Sequence, residues 1–396
     1  MSRLAAAGEV LIAFTRLGLT SFGGPIAHLG YFHAEFVRRR KWLDERAYSD
    51  LVALCQFLPG PASSEVAMAL GLLRAGPLGG LAAWLGFTLP SASAMIAVAL
   101  LLGIAPPAGP WAGVVHGLKV VAVAVVAQAV WSMARSLTPD RPRATLALLS
   151  AGLALLWNTT LAQVILIALA ALLGWRVLPA HPTSAETALP SPVSQRTGLF
   201  CLILFALALA LLPLLRLLTG HPVIAVLDAF YRSGALVFGG GHVVLPLLQA
   251  EVVPTGWLTT DQFLAGYGAA QAVPGPLFTF AAYLGAARTT PPNGVLGGLL
   301  ALVAIFLPAA LLVSGALPFW ATLRSRPAAR AALNGVNAAV VGILLAALYT
   351  PVITSAILSP LDAALALLAF LLLAIWNLPP WTVVIFSAAG GLLTSR

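Results

Sequence analysis

The chain has 396 residues, of which 60% are hydrophobic and 8% charged, with a formal net charge of +9. Soluble domains carry roughly a quarter charged residues, so the composition excludes a soluble globular protein and points to helices in a bilayer. The positive balance is explained by arginines in cytoplasmic loops, and nucleic acid is not expected as a partner.

The first ten residues hold no apolar core followed by a cleavage site, so no signal peptide is expected. Segment 10–35 is apolar and broken at Ser21-Phe22-Gly23-Gly24-Pro25. A basic loop follows, with Arg38, Arg39, Arg40, Lys41 and Arg46. Segment 51–74 is broken at Gln56-Phe57-Leu58-Pro59-Gly60-Pro61. Stretches 78–104, 200–218 and 297–319 approach or exceed the roughly 20 residues of a spanning helix. Loop 105–110 has no base, whereas 136–143 carries Arg141 and Arg143 beside Arg135. The helical pair 144–157 and 161–178 is short for two full spans at about 1.5 Å per residue. A polar segment, 179–196, and one further apolar helix, 198–218, precede the second half.

The second half repeats the first. Phe230-Tyr231-Arg232-Ser233-Gly234 and Phe238-Gly239-Gly240-Gly241 echo Phe14-Thr15-Arg16-Leu17-Gly18 and Phe22-Gly23-Gly24-Pro25. Gln271-Ala272-Val273-Pro274-Gly275-Pro276 echoes the first Pro-Gly-Pro motif at an offset that differs by one residue. Trp42, Arg74, Thr88-Leu89-Pro90 and His116-Gly117 return as Trp257, Arg288, Phe306-Leu307-Pro308 and Asn334-Gly335. The expected organisation is a first repeat over 1–180, a polar linker and linking transmembrane helix over 181–221, and a second repeat over 222–396.

Corresponding loops carry opposite charge bias. Loops 252–262 and 350–362 have no Lys or Arg, while 323–330 has Arg324, Arg326 and Arg330. Basic loops stay in the cytoplasm, so the second repeat is expected to be inverted. One linking helix inverts it only if each repeat crosses an even number of times. That favours 10–35 and 51–74 as re-entrant hairpins over two kinked spans. Recurrent Gly/Pro breaks in corresponding places of two halves are a pointer to the binding site of a secondary transporter.

Pro61 suits the first position of a helix, and the new N-terminus offers backbone amides, a positive dipole end and the hydroxyls of Ser63 and Ser64 to an anion. The second copy offers Gly275 and the hydroxyl of Thr279. The alternative for both is a pair of proline kinks without ligand. Ser21, Gly23, Gly24, Gly239 and Gly240 form partner breaks whose amides could cup an oxyanion, or serve close helix packing. Gln56, Gly60 and Gln271 complete the uncharged candidate set. Lys119, inside the apolar run 114–130, is either the charge for a bound anion or a lysine snorkelling to an interface. His28, Glu65 and His242 are candidate proton carriers, with polar packing and a cap-region carboxylate as alternatives. Glu65 has Phe280 as its repeat partner, so it has no symmetric twin. Cys55 and Cys201 stand in no metal or redox spacing, and no GxxxxGK(S/T) phosphate loop occurs. No metal, cofactor or ATP use is expected.

Thr20-Ser21-Phe22-Gly23-Gly24-Pro25-Ile26-Ala27-His28-Leu29-Gly30, Leu51 to Pro61 with its Gln56-Phe57-Leu58-Pro59-Gly60-Pro61 core, and Gly86-Phe87-Thr88-Leu89-Pro90-Ser91 closely resemble the chromate ion transporter family. The second half resembles that family's second domain through Phe238-Gly239-Gly240-Gly241 and Pro274-Gly275-Pro276. The resemblance covers nearly the whole chain, as a long two-domain member. It implies an exporter of chromate in the bacterial inner membrane that confers chromate resistance, driven by membrane potential or a proton gradient, with sulfate as the related oxyanion. A dianion leaving a cell that is negative inside gains about 2 × 2.3 kcal/mol per 100 mV, a bias on the order of a thousandfold. The fold expected is an all-α polytopic membrane protein of two inverted repeats with broken or re-entrant helices, not an enzyme, surrounded by lipid. Whether it forms a homodimer stays open.

Overall fold

The computed structural model describes residues 2–104, 110–157, 159–179, 191–324 and 326–394. Most of the expected base-free loop 105–110, Asn158 of Trp157-Asn158, which recurs as Trp376-Asn377, and most of the polar linker (180–190) lie outside them.

The first half begins with α1 (Arg3–Thr20), a break, and α2 (Gly24–Phe32), which continues through a wide helical turn to Arg39. Then come α3 (Glu45–Phe57), started by the Asp44 side chain accepting from the Ala47 amide, and α4 (Ala62–Ile104), which bends at Ala75 and Gly76. Next are α5 (Pro110–Leu137), α6 (Arg141–Leu156) and α7 (Thr160–Val177). The linking helix α8 (Gln195–Thr219) is apolar and little buried, as a lipid-facing helix should be. The second half has α9 (Pro222–Ala235), α10 (Val244–Val252), α11 (Thr260–Ala270), α12 (Phe280–Ala286), α13 (Gly294–Ala316), α14 (Trp320–Arg324), α15 (Pro327–Ala347), α16 (Thr354–Ala356), α17 (Pro360–Ala374) and α18 (Pro380–Thr394). The return arm after the second Pro-Gly-Pro opens with a tight turn over Leu277–Thr279 before α12. Where α4 bends at Gly76, the second half instead leaves the helix for a loop containing Pro291 and Pro292, whose missing amides cannot extend a helix.

Side-chain contacts show which segments turn back. Arg40, past the end of the α2 arm, pairs with Glu9 near the start of α1 at 2.9 Å. Arg74, ending the first arm of α4, pairs with the same Glu9 at 2.9 Å and lies 5.1 Å over the Trp42 ring before α3. Both ends of both broken segments therefore meet at one face, and the breaks are the tips of re-entrant hairpins. The second half does the same: Arg232 of α9 pairs with Glu251 of α10, and Arg288 lies 3.9 Å over Trp257. Burial draws the Arg288 guanidinium down to about 10.

The long arms of α4 and α13 run antiparallel. Trp84 meets Phe306 at 6.0 Å, and Ile96 packs against Gly298, so numbers rise along one helix as they fall along the other. The hairpins preceding these two helices consequently enter from opposite faces, which is the inversion anticipated from loop charge.

The counterpart of the short helical pair in the second half is α17 with α18. His116 of α5 bonds Asp362 at the start of α17 (2.7 Å), and Gly117 packs against Gly391 near the end of α18. Gln128 Nε2, further along α5, donates to the Leu373 carbonyl near the tip (3.1 Å). Two 15-residue helices reach about 22 Å, less than the roughly 30 Å hydrocarbon core. They form a third inserted hairpin. The α6–α7 pair packs on α15 through Gly174 and Gly335, and through Ala147 and Gly342, so each terminal hairpin docks on the other half. Among the described residues the helices long and apolar enough to cross are α4, α5, α8, and the two runs Gly294–Leu323 and Pro327–Ala356. Two crossings per half and one linker satisfy the parity.

Candidate functional site

The hairpin tips of one half are hydrogen-bonded to those of the other. Gly60 N–H, in the first Pro-Gly-Pro, donates to the Val237 carbonyl (2.7 Å), which precedes Phe238-Gly239-Gly240. Gly275 N–H, in the second, donates to the Ser21 carbonyl (2.8 Å), which precedes Phe22-Gly23-Gly24. Ser21 and Val237 are repeat partners, as are Gly60 and Gly275, so the two bonds are related by the pseudo-twofold of the fold. The glycines permit this crossing. Gly275 has φ +94 and Gly60 φ +148, and a Cβ on Gly275 would meet Ser91 Oγ at 2.9 Å. Gly23 and Gly239 are exposed at the tips with φ +100 and +74.

Around these bonds lies a set of buried polar side chains. His28 Nε2 bonds the Ser21 carbonyl (3.2 Å), an acceptor only, so Nε2 carries a proton, and Nδ1 shares a hydrogen bond with the Ser63 hydroxyl (3.3 Å). The Ser91 hydroxyl donates to the Thr88 carbonyl (3.1 Å). The hydroxyls of Ser21, Ser64 and Thr88 and the Nε2 amide of Gln271 are buried with no hydrogen-bond partner among the described residues. So are both carboxyl oxygens of Glu65, a residue with no exposed surface. Leaving one such group unsatisfied costs about 1–3 kcal/mol, so each calls for a partner, an ion or a water, that the protein's own side chains do not supply.

The structure places the sequence candidates unequally. Ser21, Ser63, Ser64, Glu65, His28, Gly60 and Gly275 gather at the crossing. The Thr279 hydroxyl is spent on the Pro276 carbonyl (2.9 Å), a consequence of the tight turn there. Gln56 is exposed on α3. His242 bonds the Tyr267 hydroxyl at 2.7 Å. Lys119 is held by Asp261 at the start of α11 (2.9 Å), away from the tips, so it does not supply the site's charge in this conformation. Sequence reasoning passed over Thr88, Ser91 and Asn337. The Asn337 Oδ1 is buried and unpartnered, and it sits 3.3 Å from where a Cβ on Gly239 would lie. The available signal was its alignment: Asn337 is the repeat partner of Lys119. Among the described residues no cluster of His, Cys, Asp or Glu could hold a metal ion. A cleft of about 60 Å³ between α6–α7 and α15, lined by Gln163, Gln249 and Thr350, contains none of the tip residues.

A family model described as chromate transporter matches residues 8–175 and 224–392, one region in each half. A chromate transport protein of Pseudomonas aeruginosa is 29% identical over 344 residues, covering 85% of this chain and 79% of its own length. A chromate transport protein of Cupriavidus metallidurans is 26% identical over 374 residues, covering 93% and 87%. A probable chromate transport protein of Synechococcus elongatus is 28% identical over 331 residues, covering 83% and 80%. No solved structure is significantly similar. With both halves matched and the hairpin-tip motifs in place, the chain belongs to the chromate transporter family.

Proposed function

We propose that the protein is a secondary transporter that exports chromate across the bacterial inner membrane by alternating access. The observation that carries this reading is the group of buried, unpartnered hydroxyl and amide donors at the place where inverted hairpin tips cross. A tetrahedral dianion needs many donors. Hydrogen bonds to a charged group are worth about 1.5–3 kcal/mol each, so Ser21, Ser64, Thr88 and Gln271 together offset several kcal/mol of ion desolvation.

The two crossing bonds support a reading of alternating access. Each ties a Pro-Gly-Pro tip to the opposite half, and rocking one half against the other would break one bond while keeping its partner. With the basic loops 38–46, 135–143 and 323–330 in the cytoplasm, the Trp42–Arg74 face is cytoplasmic and the Trp257–Arg288 face is outside. Membrane potential then favours export.

The test is chromate uptake into inverted vesicles by wild type and by Ser64→Ala with Gln271→Ala. The paired variant should lose most uptake at unchanged protein level. Wild-type uptake by that variant would move the site elsewhere. Sulfate in the same assay, as competitor, reports whether another tetrahedral dianion shares the path.

A further inference from the structure

The crossing contains one group that opposes an anion. Glu65 is the fourth residue of α4, and its side chain folds back beneath Gly60, where a Cβ would collide with Oε1. Its carboxyl occupies the helix-tip position that the sequence reading assigned to the substrate. It has no exposed surface, no hydrogen-bond partner at either oxygen, and no ion pair among the described residues.

The neighbouring groups do not compensate a charge there. From α3 the nearest titratable group is the buried Cys55 thiol, itself a potential anion. From α2 it is His28, which faces Ser63 and the Ser21 carbonyl. From α13 the residue beside Gly60 is Ala309, and that helix has no ionisable residue. On α1, Glu9 is paired with Arg74 and Arg40, and Arg16 is exposed. On α11 and α12, Asp261, Tyr267 and Tyr283 bond Lys119, His242 and the Gln262 carbonyl. A carboxylate ion buried without partners is strongly disfavoured, and one beside a dianion more so.

We infer that Glu65 is the proton-coupling residue: ionised where the site opens to water, it takes up one proton as the tips close on the dianion and carries it across with the substrate. The inference rests on the oxyanion site proposed above and adds a stoichiometry to it. Protonation removes the repulsion and gives the carboxyl an O–H, which donates a hydrogen bond to the substrate. Linkage is reciprocal, so chromate binding draws in the proton as strongly as the proton favours chromate. The second half has Phe280 at the equivalent position, so each cycle carries one such proton rather than two.

The experiment uses the full chain in proteoliposomes with an entrapped pH dye, a chromate gradient and alkaline buffer, where chromate is the dianion. Wild type should move about one proton with each chromate, in the same direction. In Glu65→Gln, which mimics the protonated carboxyl, the protons moved per chromate should fall tenfold or more, whatever the rate at which chromate itself moves. Protons per chromate in Glu65→Gln equal to wild type overturn the inference and point to transport of hydrogen chromate. If the variant does not fold, calorimetric titration of wild type with chromate in two buffers of different ionisation enthalpy decides: uptake of about one proton supports the assignment, and none overturns it. Failure of wild type to move chromate would instead refute the transport reading itself.

Discussion

Replacing Gly275 by alanine tests the crossing of the hairpin tips most directly. At φ +94 an L residue is strained, at a cost of about 1–2 kcal/mol. The added methyl would lie 2.9 Å from Ser91 Oγ, 3.2 Å from the Phe87 carbonyl and 3.4 Å from the Gly18 carbonyl. Two of those neighbours are backbone of packed helices and yield little, so overpacking adds about 1–3 kcal/mol. The expected destabilisation is roughly 2–5 kcal/mol, before any weakening of the bond to Ser21. Gly76→Ala is the control. Gly76 also has positive φ (+67), but nothing lies within 4 Å of its added Cβ, so only the backbone strain applies. Thermal unfolding of purified protein in detergent should place Gly275→Ala clearly below Gly76→Ala. Ser91→Ala in the Gly275→Ala background should recover part of the loss, because the Phe87 carbonyl remains. Equal melting of the two glycine variants, with no rescue, would refute the account of a tightly seated tip.

Lys119→Ala should leave chromate uptake largely intact. Its coupling to Asp261, which is 64% exposed, should be below about 1 kcal/mol in a double-mutant cycle by unfolding; abolished uptake would return Lys119 to the site. Asp44→Cys and Thr255→Cys, each exposed, should be labelled by an impermeant thiol reagent from opposite faces of the membrane once Cys55 and Cys201 are removed. Labelling from one face would refute the inversion. The Arg74 hydrogen bond, outweighing burial and assisted by Arg40, holds the Glu9 carboxyl below its ordinary 4.5. That contribution is present above the unfolded value and fades as pH falls through the folded one. Arg74→Ala should therefore melt below wild type at neutral pH, with the gap narrowing below about pH 4. A gap that does not change with pH would show that Arg74 acts through its packing on Trp42.

The repeat, the breaks and the crossing helices were legible because each leaves a local mark: duplicated motifs, Gly/Pro punctuation, apolar length. Loop arginines carried the inversion, and parity carried the hairpins. The partners of side chains were not legible. Lys119 reads as an isolated intramembrane charge until Asp261, 142 residues later, is folded against it. Thr279 reads as a free hydroxyl until a tight turn presents it with the Pro276 carbonyl. The reciprocal bonds Gly60–Val237 and Gly275–Ser21 leave no trace in composition or period, since backbone pairing between distant tips is set by tertiary docking. Asn337 was within reach of the repeat alignment, but a neutral amide in an apolar helix gives a weaker signal than a lysine.

The scaffold is symmetric and the chemistry set on it is not. Glu65 faces the crossing where the other half has Phe280, Ser91 where it has Ala309, and Lys119 is matched by Asn337. A site built wholly from paired residues would present the same groups to both faces. Here the ionisable group sits on one half only, on the arm that enters from the basic-loop face. A permanent cation at the tips would bind the dianion strongly and release it slowly; a carboxyl that must be protonated gives a site whose affinity depends on the proton it holds. On the proposed export of chromate with that proton, the charge leaving the cell falls from two to one. A potential of 100 mV then contributes about 2.3 rather than about 4.6 kcal/mol, a bias of roughly fiftyfold instead of the order of a thousandfold. Export would be slowed by acid outside the cell as well as by loss of potential. A pure dianion carrier would respond to the potential alone, so export rates measured against external pH at clamped potential separate the two designs.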